Sequence, residues 1–376
     1  RDLIVTGVQT CALPILLGKR RDFRLRLYLG AYRECGQRNA ACDAMALQLI
    51  EAWIEQNFGT NVPPPSLPEL SDQLAANAAC VDPLVLAVTA VNCASPAEKI
   101  RRLERALGGF ENSKYRAYPK FYATVCLAAE LGDNPSRLST LDTLAVKRFK
   151  ELLTDGSLLP EDHEDIADTL VFGWGENFFK RQAAKLLSEA QQAGPSFEWL
   201  RLVLDGEHQM NKAWKARGSG WGNSVTPAGW AGFRKYLEGA RASFSKAWEL
   251  RPDLPIAAAR MIPVAMGTSD FRDMRLWFDR ATAAQVDYPS AWSSLRWGLR
   301  PRWGGSLDAI QALGATAVNT KRFDTDVPRK LFDAIKDIEM DMDLPASQHL
   351  YGREDIWPLL ERMYTGYIAE PSQSNW

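Results

Sequence analysis

The chain has 376 residues, 46% of them hydrophobic and 24% charged, values of a folded globular protein and not of a disordered one, and its length allows two ordinary domains or one long solenoid. A formal net charge of −1 with a pI near 6.4 argues against a nucleic-acid binder. The longest apolar run, Leu84 to Val91, falls short of the ~18 residues a membrane span needs.

At the N-terminus, Val5 to Ile15 (VTGVQTCALPI) match the translation of a common short-read sequencing adapter. Residues 1–15 are therefore set aside as an adapter-derived artefact, and the fold is read from Leu16 onward. Cys11 goes with them, leaving Cys35, Cys42, Cys80, Cys93 and Cys126. An odd number without a C-x-x-C pair disfavours both a zinc site and a disulfide framework, so small buried thiols are expected, with Cys35 and Cys42 as the pair to form on export.

From Phe23 the sequence predicts helix after helix. Leu25, Tyr28, Leu29 and Tyr32 make one helical stripe closed by Gly36; Leu47, Ile50, Ile54 and Phe58 make a second, closed by Gly59. The prolines of Val62 to Pro68 predict an extended connector. Helices follow at 69–79, 83–92, 97–108, 118–131 and 139–153, with Asp82 and Ser95 as N-caps before prolines and Gly132 and Gly156 as stops. Connections this short make such helices antiparallel hairpins. No alternating run suggests a strand.

Acids crowd around His163 (Glu161, Asp162, Glu164, Asp165) after Pro160, where they complement the dipole of the helix they open and do not form a metal set. Glu339, Asp341 and Asp343 likewise lack the glycine and terminal glutamate of a calcium loop. A long helix over 176–193 ends before Pro195, and the domain boundary is expected there: an N-terminal helical region at 16–195 and a helical-repeat region at 196–376.

Within the second region a pattern recurs at a spacing of 34 residues: Phe244 as Phe278, Ala247 as Ala281, Pro255 as Pro289. Ala240, Phe244 and Ala247 with a following Pro252 resemble the second helix of a tetratricopeptide repeat, in which small residues let paired helices approach and the phenylalanine fills the gap between hairpins. Met274 replaces the first small residue of the second copy, and the Trp/Leu/Gly/Tyr pattern of the first helix is missing. The same offset reaches Met210 and Ala213 upstream, and Ala312 and Ala315 downstream. The implied fold is all-α, with antiparallel hairpins stacked as an irregular tetratricopeptide-like solenoid.

Two loops interrupt the array, Trp214 to Trp221 (WKARGSGW) and Pro301 to Ser306 (PRWGGS). With His208 and the repeat register they resemble a bacterial family of tetratricopeptide-like proteins carrying R-G-x-G and W-x-G-S motifs, over 208–306. That family has no activity to carry over. The glycines Gly218, Gly220 and Gly222 follow no strand and precede no Lys-Ser/Thr, so no nucleotide fingerprint is met; Thr226 and Ser306 read as helix caps.

Between Trp199 and Trp303 stand 16 Lys/Arg against 9 Asp/Glu, with nine of the thirteen tryptophans, which places any partner surface in this window. The predicted function is a non-enzymatic scaffold binding a protein or peptide of acidic character, through Arg217, Trp221, Arg260, Arg275, Arg296, Arg300 and Trp303, since arginine clamps carboxylates and aromatic faces supply buried area. The alternative is a hydrolase with its pocket near His208, Arg217 and the Gly218–Gly222 loop. No cofactor, metal, nucleic acid or membrane span is implied: the three histidines are scattered, and neither H-E-x-x-H nor G-x-S-x-G occurs.

Overall fold

The computed structural model describes residues 15–58, 66–132 and 134–370, and their regular secondary structure is all helical, with no strand among them. The stretch Arg1–Pro14, most of the segment read as adapter, lies outside the described residues, as do the expected stop Gly59 and Val62–Pro65 of the expected connector. Among the described residues, no helix is long and apolar enough to cross a membrane. The chain divides into two compact units, Leu16–Asp205 and Gly206–Trp376.

In the first unit, α1 (Ile15–Arg24) continues through a π-helical stretch, Leu25–Gly30, into α2 (Ala31–Cys35). The π stretch alters the expected stripe: Tyr28, Leu29 and Tyr32 are buried, but so are Phe23 and Leu27, while Leu25 is only half-buried. Then come α3 (Asp43–Phe58), α4 (Leu67–Ala76), α5 (Pro83–Val91), α6 (Pro96–Glu111), α7 (Ala117–Glu130) and α8 (Pro135–Thr154). The expected caps are made. Asp82 accepts from the Leu84 and Val85 amides at 2.9 and 3.1 Å, and Ser95 from that of Glu98 at 3.4 Å. Gly132 and Gly156 end α7 and α8 at φ 55° and 70°. Each of α5/α6 and α7/α8 packs as a hairpin, and α5, apolar on every side, is buried from Pro83 to Ala90.

The unit closes with α9 (His163–Val171) and α10 (Glu176–Gln192). Here the acids after Pro160 do more than face a dipole. Asp162 and Asp165 are buried; Asp162 bonds to Arg26 and accepts the Leu159 amide at 2.7 Å. Asp165 lies in the field of Arg20 and Arg24. Arg24 is itself buried, its guanidinium 5.0 Å from the Tyr122 ring and 5.2 Å from that of Tyr118.

The cysteines depart from expectation. Cys42, just before α3, is joined to Cys80, in the turn before α5, with Cα atoms 6.0 Å apart, while Cys93 and Cys126 are free and buried and Cys35 is free and half-buried. The α3–α5 packing brings the pair together from 38 residues apart, a proximity that cysteine count and local spacing do not encode.

The second unit starts inside α11 (Glu198–Arg217), not at Pro195. Pro195 opens a short 3-10 turn that leads into α11, and units part where packing contacts part, not where a helix breaks. The rest of α11 forms an antiparallel hairpin with α12 (Pro227–Leu250). A Cβ on Gly206 would meet the Phe244 ring at 2.6 Å, one on Gly239 would lie 3.3 Å from Gln209, and one on Gly232 would lie 2.9 Å from Ala216. Gly206 is thus the small residue that admits Phe244.

Next, α13 (Pro255–Gly267) packs on α12, on α14 (Phe271–Ala284) and on α15 (Pro289–Gly298). Thereafter α16 (Leu307–Asn319) packs on α17 (Lys330–Asp341) and α18 (Trp357–Ala369). Thr226 caps α12 and Ser306 caps α16, accepting amides at 3.0 and 3.1 Å. The six register positions Ala240, Phe244, Ala247, Met274, Phe278 and Ala281 are all at most 1% exposed. The outer copies differ. Met210 and Ala213 are buried, yet on α11, the partner of α12 in one hairpin; Ala312 is exposed, and the buried stripe of α16 runs through Ile310, Leu313 and Ala317.

Candidate functional site

The two interrupting loops meet around an aromatic cluster at the end of α11. Gly218, at φ 78°, ends that helix in the left-handed region a side chain disfavours. Just before it, Arg217 lies 5.7 Å from the Trp214 ring, 5.5 Å from Trp230 and 5.5 Å from Trp303; each such cation–π contact contributes about 0.5–2 kcal/mol. Trp214 and Trp303 sit edge to face at 5.8 Å, and Phe233 packs on Trp214 at 5.1 Å. Nη1 of Arg217 donates to the carbonyls of Gly218 and Gly220 at 3.1 and 3.0 Å. Arg217 therefore fastens the loop that carries Trp221, which is 72% exposed.

This cluster walls a cleft of about 720 Å³, within the size range of ligand sites. Five tryptophans, Phe233, Met266, Arg217, Arg302, Ser219, Ser269 and loop glycines line it, and no Asp, Glu, Asn, Gln, His, Lys or Cys does. A second cleft of about 490 Å³ adjoins it, sharing Trp297 and Arg302 and adding Arg260, Arg296, Arg300, Asp337, Ser293 and Ser294.

The arginines of the second cleft are matched by carboxylates of the same unit. Arg260 contacts Glu207 at 2.6 Å. Arg296 bonds to Asp337 at 2.7 Å and Asp333 at 3.0 Å. Arg300, 1% exposed, donates to Asp341 through Nε, at 2.8 Å, and Nη2, and Arg302 reaches the same carboxylate at 3.2 Å. The bond from Arg300, with help from Arg302, holds the Asp341 carboxyl below its ordinary range. These bonds form a ladder, because Arg296 and Arg300 are one turn apart on α15 while Asp333, Asp337 and Asp341 are successive turns of α17.

Of the seven residues singled out from the sequence, Arg217, Trp221 and Trp303 converge on the first cleft, while Arg260, Arg296 and Arg300 line the second as ion-pair partners. Arg275 lines neither; it pairs within α14 with Asp279 at 2.7 Å. His208, named for the hydrolase alternative, also lines neither cleft, though the Gly218–Gly222 loop lines the first. Sequence reasoning passed over Trp214, Trp230, Trp297 and Arg302. Their signals were tryptophan density and the places of Trp214 and Arg302 inside the WKARGSGW and PRWGGS loops. No family model, curated protein or solved structure matches the chain.

Proposed function

We propose that the Gly206–Trp376 unit is a non-catalytic binding scaffold of tetratricopeptide-like hairpins, and that it takes a protein or peptide partner in the tryptophan-lined cleft. One observation carries the reading: the larger cleft offers indole faces and guanidinium donors but no side chain that titrates near neutrality to move a proton. Hydrolysis needs a positioned base or activated nucleophile, and Ser219 and Ser269 have no base beside them in that lining. Tryptophan and arginine are the side chains enriched where partners bind. The 34-residue register and the contact of α13 with α15 across successive hairpins support the repeat assignment. Under the same reading, residues 1–15 are translated adapter, which resequencing across the 5′ junction of the gene tests.

The functional test is selection of random displayed peptides on the full chain. Enriched peptides are expected to lose at least about tenfold in affinity, roughly 1.4 kcal/mol, on a Trp221→Ala/Trp303→Leu double variant. The reading falls if no peptide enriches, or if enriched peptides bind the double variant as well as the parent.

A further inference from the structure

The lining of the larger cleft is one-sided in hydrogen-bonding terms. Indole N–H groups and guanidinium groups only donate; apart from two serine hydroxyls and the weakly accepting thioether of Met266, no lining side chain accepts. A polyhydroxylated ligand needs acceptors as well as donors, so the side chains of this cleft suit a group that only accepts, such as a carboxylate. Two donors, Trp303 Nε1 and Arg217 Nε, are buried without an acceptor, a condition that costs free energy until an acceptor arrives.

The charge points the same way. The ladder arginines and Arg260 are matched by Glu207, Asp333, Asp337 and Asp341, whereas Arg217 forms no ion pair among the described residues and is answered by two carbonyl dipoles and three indole faces, none of them an anion. One cation is in surplus, which fits one carboxylate. Beside it stand indole faces open to solvent, Trp221 at 72% and Trp297 at 42%, which pair with aromatic rings better than with aliphatic groups of equal area. Because Trp297 and Arg302 line both clefts, an occupant can run from one into the next, with chain on either side of the anchored residue.

We infer that the cleft recognises an extended internal peptide segment in which an acidic side chain adjoins an aromatic one. The inference rests on the peptide-binding reading above and specifies its determinant. Titration calorimetry of the full chain with Ac-Gly-Glu-Phe-Gly-amide tests it, the caps removing both terminal charges. This peptide is expected to bind at least about tenfold more tightly than its Gln counterpart or its Phe→Ala counterpart, about 1.4 kcal/mol for each determinant. Arg217→Gln should cut the Glu-over-Gln preference with the far-ultraviolet dichroism unchanged, and Trp297→Ala should weaken both peptides alike.

Equal binding of the Glu and Gln peptides would overturn the inference while peptides from the display selection still uphold the broader reading. If no peptide bound but naphthalene-2-carboxylate did, the cleft would be a small-molecule site, and inference and reading would both fall.

Discussion

Phe244 and Phe278 show what a single register position contributes. Both are fully buried. Phe244 fills the space left by Gly206 on the facing helix, and Phe278 meets Trp292 edge-on at 5.0 Å. Truncating either to alanine is expected to cost about 3–5 kcal/mol, the range for deleting a buried aromatic ring, as read from urea unfolding of the full chain; near-neutral midpoints for both would show that the rings are not wedged between helices. Asp165 offers a different residue-scale test. Burial pushes its carboxyl up to about 6, against the pull of Arg20 and Arg24, whereas an unfolded aspartate titrates near ~3.9. The folded state holds this proton more tightly, so its contribution to stability is complete below about pH 4 and is lost as pH rises through about 6. Asp165→Asn should remove that decline, and a variant whose midpoint still falls in parallel with the parent's over this window would refute the assignment.

At the scale of elements, the Arg–Asp ladder fixes α15 against α17. Removing Asp341 would leave Arg300 buried beside half a partner set, and loss of one member of a buried pair costs about 3–5 kcal/mol. Asp341→Asn is therefore expected to lower the thermal midpoint of this unit sharply. Arg302→Gln, an exposed contact to the same carboxylate, should change stability by less than about 1 kcal/mol. Equal effects of the two would deny the ladder its role. Because Arg300 holds the Asp341 carboxyl low, this contribution is present above the unfolded aspartate value and is lost as pH falls through the folded one. That is the opposite sense to Asp165.

For the molecule as a whole, two compact units imply two unfolding events where their stabilities differ. The Cys42–Cys80 link lies wholly in the first unit and closes a loop over a separation of 38 residues. On a loop-entropy account it stabilises that unit by roughly 4 kcal/mol. Scanning calorimetry with and without a phosphine reductant should shift one transition and leave the other in place; a scan unaffected by reductant would show that the link carries no stability.

What the sequence determined by itself is mostly local. Helix positions, the caps at Asp82, Ser95, Thr226 and Ser306, the stops at Gly132 and Gly156, and the burial of Ala240, Phe244, Met274 and Phe278 follow from hydrogen bonding and side-chain periodicity within a few residues. Only the tertiary structure decided which candidate arginines hold surplus charge. Arg296 and Arg300 look alike in sequence to Arg217, yet their carboxylates come from 41 residues away, and that of Arg260 from 53, whereas Arg217 finds indole rings and carbonyls. The pairing of Cys42 with Cys80 and the division inside α11 were illegible for the same reason. Each depends on how whole helices face one another, and that orientation is set by packed surfaces summed over many residues, not by the spacing of any few.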